Sequence, residues 1–217
     1  MQHFMRRATY EDARAVSQLR QAAYKSSPDF TLCNTDLLDK LAWSREDERA
    51  DVLGIWSEGM LVATMRCDVI ADHAHALVQF DGMPVPADRD VWPSPILTRG
   101  ATVRSRAGGG LNSLMRLRFV EASMNSGYQR LYGYVVMGGA RTHLMQALGY
   151  EFLPREDADP EWASPSHWAM AWIDLRARGA AAVAHLKAVC SNEEAQHPWV
   201  GPKFTRLAGS IHASTPP

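Results

Sequence analysis

The sequence predicts one domain built on a mixed α/β sheet, and three observations carry that prediction. Residues 52–69 read as strand, tight turn, strand, with Ser57-Glu58-Gly59 breaking two apolar runs. Residues 96–153 then read as strand, helix, strand, helix, strand. An early hairpin excludes a purely parallel barrel or doubly wound sheet, so the two patterns together require a mixed sheet. Finally, the 217 residues are 46% hydrophobic and 22% charged, a globular balance in a chain long enough to bury one large core. Disorder, collagen, coiled coil and small disulfide scaffolds are excluded.

Each element follows from local signals. A short strand over 4–8 precedes Thr9-Tyr10-Glu11-Asp12, a hydroxyl three residues before a carboxylate, which opens a helix over 10–25 with Val16, Leu19 and Ala23 on one face. A second helix is expected over 36–43. The run Arg45-Glu46-Asp47-Glu48-Arg49 reads as a solvated turn, the usual fate of a charge run. The hairpin follows, then a Pro- and Asp-rich loop over 82–95 and a strand over 96–103. Leu111, Leu114, Met115, Leu117, Val120 and Met124 spread round a helix whose wide apolar arc requires burial on most sides. A strand over 129–137 places Tyr132 and Tyr134 on one face. A brief helix runs from Gly138-Gly139 to Leu148 and closes on Gly149. Strands over 150–153 and 167–175, an Ala-rich helix to Cys190 and a loosely ordered tail complete the chain.

Charge and cysteine usage narrow the function. With 23 Lys+Arg against 24 Asp+Glu there is no global basic field for a nucleic acid or an anionic membrane. No apolar run approaches the roughly 18 residues of a membrane span, so a cytoplasmic protein is expected. Cys33, Cys67 and Cys190 are odd in number and form no C-x-x-C pair, which points to reduced thiols. His73 and His75 share one face of an expected strand near Asp72 and Asp81, but no third ligand has fixed spacing, and a solvated strand end is expected. No metal is expected. No G-x-S-x-G elbow supports a hydrolase.

The chemistry concentrates in Arg104-Ser105-Arg106-Ala107-Gly108-Gly109-Gly110-Leu111-Asn112, between a predicted strand and a buried helix. Glycines permit close backbone approach, and the first amides of a helix, with two arginines beside them, favour a phosphate or pyrophosphate. The loop is neither a Walker A motif, having no Lys-Ser or Lys-Thr, nor a dinucleotide fingerprint, because Ser113 replaces its third glycine.

On these residues the chain resembles the GCN5-related N-acetyltransferase (GNAT) superfamily. Arg106 and Gly109 match the first two positions of its Arg/Gln-x-x-Gly-x-Gly/Ala loop, with Leu111 in place of the last. Arg6-Arg7-Ala8-Thr9-Tyr10-Glu11-Asp12 is similar to its opening, Ala147-Leu148-Gly149-Tyr150-Glu151 to the end of its fourth helix, and the hairpin falls where its second and third strands belong. The resemblance implies a mixed, mostly antiparallel central sheet flanked by helices over 1–175, with 176–217 a C-terminal helical extension and tail. It implies acyl transfer from acetyl-CoA or another acyl-CoA to a small-molecule amine by direct attack on the thioester. The implied donor site comprises Ala101, Thr102 and Val103 along the strand and Arg106, Gly108, Gly109, Gly110, Leu111 and Asn112 in the loop. Met145 stands where the family often has a proton-donating tyrosine, leaving Tyr132, Tyr134 and His143 as substitutes, of which Tyr134 and His143 are taken as the catalytic pair. The acceptor is expected near Tyr132 and Tyr134, with Trp168 and Trp172 as candidate wall.

Arg66, after Ala63-Thr64-Met65, and Arg99 also resemble the branch of N-acyl amino acid synthases and acyl-homoserine-lactone synthases, which implies longer acyl chains and an acyl carrier protein as partner. A non-catalytic module that binds a ligand or a partner is the competing class. A homodimer is left open.

Overall fold

The computed structural model describes residues 2–26, 39–80, 85, 91–106, 110–138, 140–154 and 168–208. Seven strands, β1 (His3–Arg7), β2 (Asp51–Ser57), β3 (Met60–Ile70), β4 (Ser94–Thr102), β5 (Arg130–Val136), β6 (Glu151–Pro154) and β7 (Trp168–Asp174), form one sheet in the order β1-β2-β3-β4-β5-β7-β6. Neighbours run antiparallel except β4 and β5. In the β2–β3 turn Glu58 and Gly59 take φ of 55° and 81°, consecutive left-handed residues whose twist matches that of the flanking strands. A parallel pair needs a crossover, and the helix at Leu111–Asn125 supplies it between β4 and β5.

Among the described residues the sheet is covered by α1 (Ala13–Lys25), α2 (Arg45–Arg49), α3 (His73–Gln79), α4 (Leu111–Asn125), α5 (Ala140–Ala147) and α6 (Leu175–Gln196). Alternation along the strands sorts them into two layers. Ala63, Met65, Cys67, Leu97, Leu131 and Val135 share a core with Leu114, Leu117 and Met145 of α4 and α5 and with Ala182 and Leu186 of α6. On the other side Ile70, Ile96, Tyr132 and Met170 pack with Ala76 and Phe80 of α3 and the residue after it. α4 lies between the sheet and α6, which is why its apolar arc is so wide. Gly179 of α6 faces Met124 at that contact, and a Cβ there would stand 2.7 Å from the Met124 sulfur, so the methionine would have to shift.

Two expectations are corrected. The charge run at 45–49 is not a solvated turn but helix α2, with the Asp47 carboxylate accepting from the Ser44 amide at 3.0 Å and buried at 2% exposure. The driving force is tertiary, because Asp47 meets arginines from three other elements. His73 and His75 do not sit on a strand end; they open α3, whose first turn is capped by the Asp72 carboxylate accepting from the His75 amide at 2.8 Å. Of the helix expected over 36–43, residues 39 and 40 are helical and residues 36–38 lie outside the described residues.

The chain behind α6 is built into the fold as far as residue 208. His197 and Leu207 are each 2% exposed. The Met5 amide donates to the Pro198 carbonyl at 3.0 Å and the Val200 amide donates to the Met5 carbonyl at 2.9 Å, covering the outer edge of β1. Further on, the Ala208 amide donates to the Asp51 carboxylate at 2.7 Å, and Arg7 pairs with Asp51 at the same distance. An uncovered edge strand is a template for unwanted pairing, and this segment removes it. Deleting residues 197–217 is expected to speed hydrogen exchange at Met5, measured by NMR, while the amides between β2 and β3 keep their protection. Unchanged exchange at Met5 would show that the segment does not cover that edge in solution.

Candidate functional site

The parallel pair β4–β5 begins and ends within two residues: Ile96 lies opposite Tyr132 and Leu97 opposite Gly133, and the ladder stops there. β4 nevertheless continues to Thr102, paired to β3 alone, and β5 continues to Val136, paired to β7. The strands therefore splay beyond Leu97, leaving one edge of residues 98–102 without a strand partner and open to an extended ligand. Gly133 stands at the floor of the split, where a Cβ would meet the Leu97 carbonyl oxygen at 3.5 Å, an ordinary contact distance.

A bulge sits at the mouth of that split. Thr64 pairs with Ala101 and Arg66 with Thr98, so Met65 alone faces both Arg99 and Gly100. A bulge releases a residue from the ladder and re-aims the backbone. Arg99 adopts φ 52°, a conformation unusual for a side-chain-bearing residue. Asn112, in the first turn of α4, reaches back to the bulge: a Cβ on Gly100 would lie 3.2 Å from its Nδ2. Gly110 caps α4 with φ 80°, and Arg104, Ser105 and Arg106 form an exposed turn just before it. Helix start, bulge and open strand edge thus adjoin one another.

The face under α1 and α2 carries an ion network. Asp47 Oδ1 accepts from Arg20 Nη2 at 2.8 Å and Oδ2 from Arg99 Nη1 at 2.9 Å, with Arg66 Nη1 3.8 Å away. Arg66 Nε donates to Asp68 at 2.6 Å, and Glu46, largely exposed, lies 3.4 Å from Arg66 and 3.5 Å from Arg99. Burial alone would raise the Asp47 carboxyl, but the Arg20 hydrogen bond and charge, the charge of Arg99 and the Ser44 amide together hold it below the usual range. Asp68 goes the other way, its burial outweighing Arg66. Arg99 is lowered by burial and by the neighbouring Arg66 charge, which Asp47 only partly offsets.

The predicted donor residues fall along one path. Ala101 is buried on β4 and Thr102 ends the strand. The Val103 amide donates to the Val62 carbonyl at 2.9 Å, and Arg106 is exposed in the turn. Gly110, Leu111 and Asn112 form the start of α4, while Gly108 and Gly109 lie outside the described residues. The catalytic candidates are not brought together. Tyr134 lies on the α3 side of the sheet, its hydroxyl donating to the Gln79 carbonyl at 2.6 Å. His143 is exposed on α5, which packs against the opposite face through Met145 and Leu148. Met145 itself is fully buried, close to Gly133 at the floor of the split.

Tyr132 is buried and stacks on Trp92 at 5.1 Å, and Trp172 lies under the Arg130 guanidinium at 5.9 Å. Sequence reasoning missed Arg20 and Asp47. The signal for Asp47 was present in Ser44-x-x-Asp47, the same capping pattern that marks Thr9 and Asp12. Among the described residues no group of three or more His, Cys, Asp or Glu side chains is arranged to hold a metal, and no helix is long and apolar enough to cross a membrane.

No family model and no curated protein matches the sequence. Solved structures do match. The CoA-dependent acyl-homoserine lactone synthase BjaI, bound to SAM and isopentyl-CoA, superposes with a TM-score of 0.59 at 16% identity over 93% of this chain and 95% of its own. The ribosomal-protein-alanine N-acetyltransferase from Brucella melitensis gives 0.55 at 16% identity over 79% of this chain and 99% of its own. The yncA protein from Salmonella typhimurium, with its cofactor acetyl-CoA, gives 0.55 at 13% identity over 81% and 95%. The synthase alignment extends over more of the chain than the other two, which stop at about four-fifths of it. At such identities the likeness concerns the path of the backbone, and the path that carries this sheet open between β4 and β5 is the GNAT fold.

Proposed function

We propose that the protein is an acyl-CoA-dependent N-acyltransferase that transfers an acyl group from the thioester to a small-molecule amine. The observation that carries this reading is the splayed β4–β5 pair, which leaves an unpaired strand edge leading from the bulge at Arg99 and Gly100 to the start of α4. A pantetheine arm can pair along residues 101–103 as an added strand, while the pyrophosphate lies by the first amides of α4 with Arg106 beside it. At the bulge, a released backbone N–H is the natural donor to the oxyanion that forms when the neutral amine attacks the thioester carbon. The C–N bond forms, the C–S bond breaks, and the attacking nitrogen loses one proton while the departing thiolate takes one up.

Of the two proton-carrier candidates this reading assigns Tyr134, which stands on β5 where the sheet opens, and sets aside the exposed His143 on the far face. Tyr134 would exchange its bond to Gln79 for one to the reacting sulfur.

Acetyl-CoA at a hundredfold excess over its Kd is expected to stabilise the fold by about 2.7 kcal/mol, a rise in Tm of about 5–10 °C for a chain of this size. Arg106→Ala should reduce that shift without lowering the Tm of the unliganded protein, because Arg106 is exposed. Absence of a shift with acetyl-CoA and with longer acyl-CoAs would overturn the enzyme reading and leave a ligand-binding or interaction module. A second reading, a synthase that transfers a longer acyl group, is favoured by the extent of the superposition on the CoA-dependent synthase BjaI and by the buried Arg66 with the half-buried Arg99 beside the same aspartate. A larger shift with long-chain than with short-chain thioesters would select it.

A further inference from the structure

We propose that Glu193 of α6 sets how strongly the start of α4 holds an anion, and that His197 makes that strength depend on pH. Naming the anion as the pyrophosphate of an acyl-CoA rests on the acyl-transfer reading; the contact between the two helices does not.

The contact is made at a break in α6. Cys190 leaves the helical conformation, with φ −113° and ψ 18°, where α6 passes Gly110. A Cβ on Gly110 would lie 3.2 Å from Glu193 Cγ, 3.9 Å from the Val189 carbonyl oxygen and 4.0 Å from Cys190 Cα. Gly110 is the N-cap of α4. The Glu193 side chain therefore lies against the helix end whose unpaired amides and dipole favour negative charge. A carboxylate fixed there repels a second anion that uses the same amides, and the repulsion is strongest when nothing neutralises the carboxylate.

Glu193 has one ionisable partner. Among the described residues no arginine or lysine pairs with it, and its Oε2 is buried without a hydrogen bond. The neighbouring carboxylates differ, since Glu121 and Glu194 both meet Arg118 of α4. What approaches Glu193 is His197, whose Nδ1 stands 3.3 Å from Oε2. The same Nδ1 lies 3.1 Å from the Glu193 carbonyl, which only accepts, so it carries a proton whether the ring is neutral or charged. The second proton goes to Nε2, which is buried and unpartnered. From β1 the His3 ring meets His197 edge-on at 5.4 Å, with its own Nδ1 2.9 Å from Ser57 Oγ, and Arg104 and Arg106 stand in the exposed turn ahead of Gly110. With His197 neutral, Glu193 acts at full charge on α4. With His197 protonated, the pair is neutral overall. A bound anion favours the protonated pair, so binding takes up a proton, and affinity falls as pH rises through the range in which histidine ordinarily titrates.

The test is calorimetric titration of the full chain with acetyl-CoA and, separately, with inorganic pyrophosphate, at about pH 8 and about pH 5.5, either side of the histidine range. Wild type and Glu193→Gln are compared at the same pH, so that ionisation of the ligand's own phosphates cancels. Glu193→Gln keeps the shape and removes the charge; it is expected to bind both probes about three- to tenfold more tightly at the higher pH, the effect of one charge beside a partly exposed anion. At the lower pH the gain should shrink to about twofold or less, because protonated His197 already offsets Glu193. In a His197→Asn background, whose side-chain amide can still donate to the Glu193 carbonyl, the gain should be equal at both pH values. Equal affinities of Glu193→Gln and wild type at the higher pH, or a gain as large at the lower pH, would overturn the proposal. The two probes separate the readings. A pyrophosphate response that depends on Glu193, without an acetyl-CoA response, defeats acyl transfer and leaves the proposal standing; an acetyl-CoA response indifferent to Glu193 does the reverse, and no response to either probe defeats both.

Discussion

Asp47→Ala is expected to lower the unfolding free energy by about 3–5 kcal/mol, the cost of leaving a buried charge without its partner. The reason lies in what Asp47 holds. Both its oxygens are engaged, one by the fully buried Arg20 and one by Arg99, and Arg66 stands 3.8 Å off. With the carboxylate gone, Arg20 keeps no partner among the described residues and cannot reach water. For a chain of this length the loss is a fall in Tm of about 6–20 °C, or a matching drop in the urea midpoint with m unchanged.

The pH dependence gives a second readout. A carboxyl held below its unfolded value of 3.8 contributes stability that is fully present above that pH and is lost as pH falls through the lower folded value. The gap between wild type and Asp47→Ala should therefore be constant near neutrality and close below about pH 4. A variant as stable as wild type at pH 7 would mean that the network is held together by groups other than Asp47.

The same residue marks where the sequence stopped being legible. Strands and helices that depend on local pattern were readable: the Val- and Ile-rich runs of β2 and β3 around Glu58-Gly59, the wide apolar arc of α4, and the capping pair Thr9 and Asp12. Asp47 looked solvated because a charge run is judged by its neighbours in sequence, whereas its partners Arg20 and Arg99 lie 27 and 52 residues away. The tail was misjudged for a like reason. Trp199 and Leu207 find their partners on β1 and at the end of α4, through Met5 and Ser126, and no local period records that.

The loop before α4 was legible in the sequence, and the bulge and ion network beside it were not. The glycines and arginines before Leu111 are adjacent in sequence, so their joint meaning can be read there. The bulge at Arg99 and Gly100 leaves no mark in residue type, being a matter of register against β3. Arg66 and Arg99 stood out singly, but a lone arginine does not announce whether its charge is met by water, by an acid or by nothing. Arg20 carries no local signal either, because its partner Asp47 lies 27 residues away and both side chains are buried.

Gly54→Ala is expected to destabilise the fold by about 3 kcal/mol, at the upper end of what one added methyl does in a well-packed region. Gly54 is the middle of β2, between Arg6 on β1 and Thr64 on β3, and its backbone lies in an ordinary strand conformation that alanine can adopt. The obstacle is the indole of Trp56, two residues on and on the same side of the strand. A Cβ at position 54 would stand 2.4 and 2.6 Å from two of its ring carbons and 2.9 Å from a methyl of Leu61. The ring cannot yield cheaply: it is rigid, stacks on Phe4 with centroids 5.5 Å apart, and carries the Arg6 guanidinium 3.9 Å above its centre. Moving it would part Arg6 from its perch, and Arg6 also grips Asp12 at 2.7 Å at the entry to α1. The cause can be isolated with a second change. Trp56→Leu removes the ring, and Gly54→Ala made in that background should cost under about 1 kcal/mol, a coupling typical of residues in direct contact. An equal penalty in both backgrounds, read by urea unfolding, would show that the glycine is needed for its backbone and that the indole has no part in it.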